Sequence, residues 1–151
     1  MVKTDLSESI LQLCILLWDV NHSLMLVRQR ELRKYHIPVR QAHILSTLKI
    51  LGSKATIAEV AKEAKRDVGV ISKQAVCLEK DTLIKRIKNT PKSNIWTLEL
   101  TENGLNMAEL SRYSKPITAI LSSLTKEERR EMELILNKID IKLKKYTHDN
   151  Y

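Results

Sequence analysis

The chain has 151 residues and carries 26 Lys and Arg against 18 Asp and Glu, a net charge of +8. This length fits one domain with a real core, and only three Gly and three Pro exclude collagen-like and Pro/Gly-rich disordered chains and argue against an all-β fold. Two cysteines cannot form a disulfide framework, and no basic leader precedes the first apolar run, so we expect a cytoplasmic protein without a membrane span. The basic excess makes a polyanion the first partner to test.

The N-terminal segment predicts one long helix over residues 5–35. Asp5 and Glu8 have the spacing of a capping box at its start. Apolar residues then recur at three- and four-residue steps, and further apolar residues occupy the other faces of its first half. A helix that is apolar nearly all round must be covered on several sides, which favours a dimer.

Three shorter helices follow. The second is predicted over residues 38–51, beginning with a proline and stopping at the glycine that follows. Thr56 and Glu59 have capping-box spacing at the start of a third, and Asp67 is a good N-cap for a fourth over residues 68–80.

The hydrophobic period then changes from that of a helix to that of a strand. Residues 83–88 and 95–100 alternate and are rich in β-branched residues, and the polar segment 89–94 joins them, which predicts a β-hairpin with a basic tip. We expect a fifth helix over residues 101–121 and a last one over 125–146.

Two short helices followed by a basic hairpin are typical of a winged helix-turn-helix. Ala61 lies where the two helices would cross, and Ile71 and Leu78 would point inward from the fourth helix. Its small and polar outer face can enter a major groove, and Lys and Arg outnumber Asp and Glu between Lys54 and Trp96.

With these elements in place, the sequence resembles the MarR-type transcriptional regulators. The resemblance covers about residues 10–145 and is densest at the ordered pieces Ile57–Glu63, Val70–Lys73, Leu78–Arg86 and Leu98–Gly104. It implies a homodimer held by the first, fifth and sixth helices. It also implies that the fourth helix enters the major groove, that the wing lies beside the minor groove, and that the protein is a repressor relieved by a small ligand or by oxidation.

The chain departs from the family pattern at the wing and before it. Lys92 and Asn94 stand where the family carries Asp-x-Arg, so a phosphate contact by Lys92 or Lys88 is expected in place of an inserted arginine. Thr82 replaces the usual glycine before Leu83, and we expect a different turn there.

From this pattern we predict a DNA interface in which the fourth helix reads bases and the hairpin contacts phosphates. Its residues are Arg40, Lys54, Thr56, Val68, Gly69, Val70, Ser72, Lys73, Gln74, Lys88, Lys92, Ser93 and Asn94. The partner we expect is a pseudo-palindromic double-stranded operator.

The resemblance also implies a ligand pocket between the first, second and fifth helices. We place near it Cys14, Trp18, His22, His43 and Tyr113. We interpret Cys14 and Cys77 as small core residues, with a redox-sensing repressor acting through Cys14 as an alternative. The histidines lack paired metal-ligand spacing and no nucleophile has a recognisable base partner, so neither a metal, a cofactor nor an enzyme is expected.

The predicted fold is therefore mainly α with a small β-hairpin wing, in a single MarR-like domain over residues 1–151. Residues 38–100 would form the DNA-binding part, and 5–35 with 101–146 the helical dimerisation part. The competing function is a winged helix that binds protein, which exposed valines on the fourth helix would favour.

Overall fold

The computed structural model describes the backbone of residues 2–149 and the side chains of residues 6–146. The chain forms two compact units, one ending at Ser114 and the other beginning at Lys115. The first unit contains α1 (Val2–Leu32), a short 3-10 helix (Arg33–Tyr35), α2 (Val39–Ile50), β1 (Lys54–Thr56), α3 (Ile57–Ala64), α4 (Val68–Lys80), β2 (Ile84–Lys88), β3 (Trp96–Leu100) and α5 (Glu102–Arg112). The second contains α6 (Lys115–Ser122) and α7 (Lys126–Asp149). The predicted fold class, mainly helical with a β-hairpin wing, is confirmed.

The sheet has three antiparallel strands in the order β1-β3-β2. In the hairpin Ile84 pairs with Leu100 and Lys88 with Trp96, while Lys54 of β1 pairs with Glu99 on the other side of β3. Sequence analysis missed β1, because a strand of three residues is too short to show an alternating pattern.

The core of the first unit is aliphatic and lies where α2, α3, α4, α5 and the sheet meet. Its largest fully buried side chains include Leu45, Leu48, Val60, Ile71, Leu78 and Leu98. Alanines are buried among them, including Ala61 at the predicted crossing of α3 and α4. Small residues at such positions let helix backbones approach closely, so this core fixes α4 and the hairpin on one scaffold.

The junction between β3 and α5 depends on a glycine. Thr101 caps α5 by accepting a hydrogen bond from the Gly104 backbone N–H at 3.0 Å, and the Thr101 N–H donates to the Leu83 carbonyl at 3.1 Å. A Cβ on Gly104 would lie 1.8 Å from that same Leu83 oxygen. Only glycine therefore fits at this position.

The predicted fifth helix over 101–121 is wrong, because the helix ends at Arg112 and α6 begins at Lys115. Pro116 accounts for the break, since inside a continuous helix its ring would clash with the Arg112 carbonyl and it could not donate the matching hydrogen bond. Other helix ends also differ from prediction, and the first helix stops at Leu32, before the predicted residue 35. The first helix begins at Val2, before the predicted capping residue Asp5, and α7 continues to Asp149.

Helix α1 exposes apolar side chains over most of its length. Its exposed large residues are Leu6, Ile10, Leu11, Leu13, Ile15, Leu16, Leu17, Trp18, Val20, Met25 and Leu26. The segment Leu6–Tyr35 is long and apolar enough, by length and composition alone, to cross a membrane, which sequence analysis did not anticipate. Helices of soluble proteins also meet this criterion. In this chain, no residue of the most apolar part of the segment is buried.

Helix α7 begins as predicted with a capping box. The Thr125 hydroxyl accepts from the Glu128 N–H at 3.1 Å, and the Glu128 carboxylate accepts from the Thr125 N–H at 2.7 Å. The predicted apolar stripe, Met132, Ile135, Leu136, Ile139 and Leu143, is exposed throughout.

Candidate nucleic-acid interface

The helix-turn-helix begins at a complete capping box. The Thr56 hydroxyl accepts from the Glu59 N–H at 3.2 Å, and the Glu59 carboxylate accepts from the Thr56 N–H at 2.7 Å. The hydrogen bond from the Thr56 backbone, helped by the one from its hydroxyl, lowers the pKa of Glu59. This pair was predicted from its spacing, and it fixes where α3 starts.

The turn between α3 and α4 is closed by backbone geometry and a second cap. Lys65 adopts a left-handed conformation with φ of 51°, and the Arg66 N–H donates to the Ala61 carbonyl at 2.9 Å. The Asp67 carboxylate then accepts from the Gly69 N–H at 2.8 Å and starts α4, as predicted.

The outward face of α4 agrees with the predicted one. Ile71, Ala75 and Leu78 are buried, whereas Gly69 and Lys73 are exposed. Three valines also lie on the surface, with exposed fractions of 53% for Val68, 43% for Val70 and 48% for Val76. Ser72 and Gln74 are half-buried at the edges of this face.

The loop of the hairpin is held by its own hydrogen bonds. The Asn89 N–H donates to the Ile95 carbonyl at 3.3 Å, and the Asn89 side chain accepts from the Thr97 hydroxyl at 2.8 Å. Ser93 donates its N–H to Thr90 and accepts the Ile95 N–H at its hydroxyl. The loop therefore presents its tip in a defined shape, with Lys92 and Asn94 exposed and Ser93 half-buried.

A side-chain network that sequence analysis missed joins α4 to the hairpin. The Glu79 carboxylate accepts from Arg86 Nε at 2.6 Å and from the Arg86 backbone N–H at 3.0 Å. Partial burial opposes ionisation of Glu79, but the hydrogen bonds and charge of Arg86 outweigh it and lower the pKa of Glu79. The Trp96 ring lies 5.1 Å from the Arg86 guanidinium carbon and 5.3 Å from Lys88 Nζ.

Three predicted DNA-contacting residues lie outside α4 and the hairpin. Arg40 is exposed in the first turn of α2. Lys54 forms an ion pair with Glu99 at 3.3 Å, and the Thr56 hydroxyl is engaged in its capping box. Their contacts with DNA stay predictions.

A cavity of about 540 Å³ lies beside α4, between α1, α2, α4 and the end of α5. Four arginines line it: Arg28, Arg40, Arg66 and Arg112. Among the described residues no acidic side chain belongs to its wall. Of the predicted pocket residues only His43 lines this cavity, whereas Cys14, Trp18, His22 and Tyr113 do not.

Two cavity residues have defined electrostatic partners. Partial desolvation, and secondly the charge of Arg66, lowers the pKa of His43 from its usual value. Arg28 donates to the carboxylate of Glu31 at 3.2 Å and to the backbone carbonyls of Ser111 and Tyr113. Arg28 thus satisfies carbonyls left free at the end of α5, and its spacing from Glu31 was the only signal in the sequence.

Both cysteines depart from the prediction, because Cys14 and Cys77 are exposed in the single chain and are not core residues. Cys77 follows the exposed Val76 on α4, and Cys14 lies on the apolar helix α1. Within the part of the chain that the structure describes, no cluster of three or more His, Cys, Asp or Glu side chains could hold a metal ion.

The turn before β2 is also not as expected. Thr82 has a φ of 59°, the left-handed conformation that glycine adopts freely, so the turn keeps that geometry in spite of the side chain. Its carbonyl accepts the Thr101 hydroxyl at 2.7 Å, which ties the turn to the start of α5.

Solved structures of known proteins share this arrangement of helices and hairpin. No family model and no curated protein sequence matches the chain. Among solved structures, the ligand-free organohalide-sensing regulator RdhR-CbdbA1625 has a TM-score of 0.81 at 25% identity, covering 91% of this chain and 82% of that chain. The S. aureus MepR–DNA complex gives 0.78 at 23% identity over 85% and 96% of the two chains. A mutant MarR from E. coli complexed with operator DNA gives 0.77 at 20% identity over 87% and 95%. These likenesses confirm the winged helix-turn-helix fold and the resemblance to MarR-type regulators.

Proposed function

We propose that this chain, which has the fold of the MarR-family transcriptional regulators, is a homodimeric, sequence-specific DNA-binding repressor that acts in the cytoplasm. The observation that carries the proposal is the exposed face of α4, built on a capped helix-turn-helix beside a hairpin with a pre-shaped basic tip. Two of the three structures compared above are complexes with DNA.

The side chains of α4 and of the hairpin have different tasks in this proposal. Lys73 is exposed on α4, where its ammonium can donate to guanine O6 and N7 in the major groove. Lys92 is exposed at the hairpin tip and lacks the fork of an arginine, so we assign it to phosphate.

Substitutions at these two lysines test the assignment. Lys73→Ala should cost about 1–3 kcal/mol on the cognate site and much less on random DNA, because it removes base readout. Lys92→Ala should weaken binding to both DNAs alike and reduce the slope of log affinity against log salt by about one unit per lost phosphate contact. If Lys92→Ala alone abolishes sequence preference while Lys73→Ala changes nothing, the wing reads the sequence and the assignment is reversed.

The homodimer is supported by the exposed apolar side chains of α1 and of α7, each considered within its own unit. A second copy of the chain is the occupant we propose for both surfaces, since obligate interfaces bury about 2,000 Å² or more and are rich in apolar residues. Sedimentation at micromolar concentration without detergent should show a dimer and no monomer. A stable monomer, or a protein that is soluble only in detergent or with lipid vesicles, would contradict this.

The cavity beside α4 is where we propose that an inducer binds. Four arginines and the absence of acidic side chains among its described lining residues favour an organic anion, and Val70 and Ile71 belong both to its wall and to α4. Benzoate is a simple probe: it should raise the pKa of His43, seen by NMR, and weaken operator binding. Operator release without a response of His43 would place the inducer elsewhere.

The three exposed valines of α4 favour a second candidate, a winged helix that binds another protein through the same face. In the DNA complex these valines would meet thymine methyl groups instead. A chain that selects no duplex from random DNA, and whose Val68→Ser variant loses a protein partner, would establish this alternative.

A further inference from the structure

The face of the hairpin that packs on α4 changes its chemistry along its length. Alternate residues of a strand share a face, so the face that carries the pair Ile84–Leu100 also carries Arg86 and the pair Lys88–Trp96. Ile84 and Leu100 are buried at the α4 end, whereas Lys88 is exposed near the tip. The core surface of the hairpin therefore continues into a row of one aromatic ring and two cations.

This row is anchored to α4 at one end and open at the other. The Glu79 carboxylate holds both the backbone and the guanidinium of Arg86, a charge-assisted pair of bonds that fixes the Arg86 side chain. The half-buried Trp96 ring lies within cation–π distance of both cations, 5.1 Å from Arg86 and 5.3 Å from Lys88. A chain of contacts thus leads from α4 to an exposed ammonium on the wing.

Lysine needs such support to make a positioned contact. Its long side chain has many rotamers, and holding it on one phosphate costs conformational entropy. An aromatic face that attracts the ammonium narrows this freedom before DNA arrives, and the three N–H donors of an ammonium leave capacity for a phosphate while the ring is in contact.

We infer that Trp96 is a positioning residue for DNA binding, which holds the Lys88 ammonium at a fixed place relative to α4. The wing cation then meets a phosphate at a fixed position relative to the bases that α4 contacts. This inference rests on the proposed function, because it assigns Lys88 to a phosphate of the bound duplex.

A double-mutant cycle tests it with Lys88→Gln, Trp96→Leu and their combination, on the selected operator and across a salt series. Trp96→Leu should weaken binding about three- to tenfold with an unchanged salt slope, because Lys88 still reaches the phosphate but is no longer pre-positioned. Lys88→Gln should lower the slope by about one unit per subunit. In the Lys88→Gln background, Trp96→Leu should cause almost no further loss.

Controls separate positioning from folding. Trp96→Phe keeps an aromatic face and should retain most of the DNA affinity. If Trp96 had only a structural role, the loss of DNA affinity in each Trp96 variant would instead parallel its loss of thermal stability. In a Trp18→Phe background Trp96 is the sole tryptophan, and Lys88→Gln should change its fluorescence in the free protein. This last measurement remains decisive if Trp96→Leu does not fold, since an unchanged spectrum would overturn the contact itself.

The outcomes distinguish the two proposals. A wild-type protein that binds no duplex overturns both. A wild-type protein that binds, with additive losses for Lys88→Gln and Trp96→Leu, overturns the positioning role alone and leaves the proposed function standing.

Discussion

Gly104→Ala should destabilise the protein by about 1–3 kcal/mol. Its new Cβ would lie 1.8 Å from the Leu83 carbonyl oxygen and 2.9 Å from the Leu83 carbonyl carbon, so the backbone between β2 and α5 must move. Overpacking of this kind costs about 1–3 kcal/mol, and the hydrogen bond from the Thr101 N–H to the same oxygen, worth about 1 kcal/mol, is lost with the movement. The better helix propensity of alanine, about 1 kcal/mol, offsets part of this.

Gly69→Ala is the matched control, because it makes the same chemical change in the first turn of another helix. Its Cβ would meet only the Asp67 side chain, at 3.2 Å, and a carboxylate can move by a few tenths of an ångström. We expect a change within about 0.5 kcal/mol. Urea denaturation followed by circular dichroism measures both. The reasoning about the junction would be refuted if both substitutions changed the free energy of unfolding equally, or if Gly104→Ala were as stable as the wild type.

Three further predictions follow from single residues. Thr82→Gly should raise the free energy of unfolding by about 1 kcal/mol, because the left-handed conformation strains a β-branched residue. Lys65→Gly should raise it by less, because lysine is not β-branched. A Thr82→Gly variant that is less stable than the wild type in urea denaturation would contradict this. The pKa of His43 is lower in the folded state, so the unfolded state binds more protons as the pH falls through 6.5, and the free energy of unfolding should decrease over that range. Arg66→Gln should raise the pKa of His43 in an NMR titration. An unchanged titration curve would rule out the charge of Arg66 as a cause of the shift. Stoichiometric organic peroxide should leave DNA affinity within about threefold, because the second copy proposed to cover the apolar surface of α1 would also cover the exposed Cys14. Release from DNA that disappears in Cys14→Ser would instead establish the redox-sensing alternative.

The helix-turn-helix could be predicted because its signals are local. Both N-caps of this motif join residues two or three positions apart, and the structure contains both. They are the hydrogen bonds between Thr56 and Glu59 and between Asp67 and the Gly69 N–H. Spacing along the chain is sufficient for such interactions. The same holds for the capping box that starts α7.

The sequence predictions were wrong or incomplete where the structure depends on contacts between distant residues, or on one helix-breaking residue. The cavity forms where α1, α2, α4 and α5 meet, so its arginines share no sequence pattern. The contact between Lys88 and Trp96 requires the strand register, which was not known before the structure. The break before α6 has a local cause, because Pro116 alone is enough to end the preceding helix.

The central claim is that a dimer of this chain reads DNA sequence through α4, and selection of bound duplexes from random DNA tests it most directly. The account predicts enrichment of a pseudo-palindromic site whose half-sites lie about one helical turn apart, because a two-fold dimer would place one α4 in each of two successive major grooves. It also predicts that Lys73→Ala relaxes the preference at one position of each half-site. Recovery of no enriched sequence, or of a site that lacks two-fold symmetry, would contradict the claim.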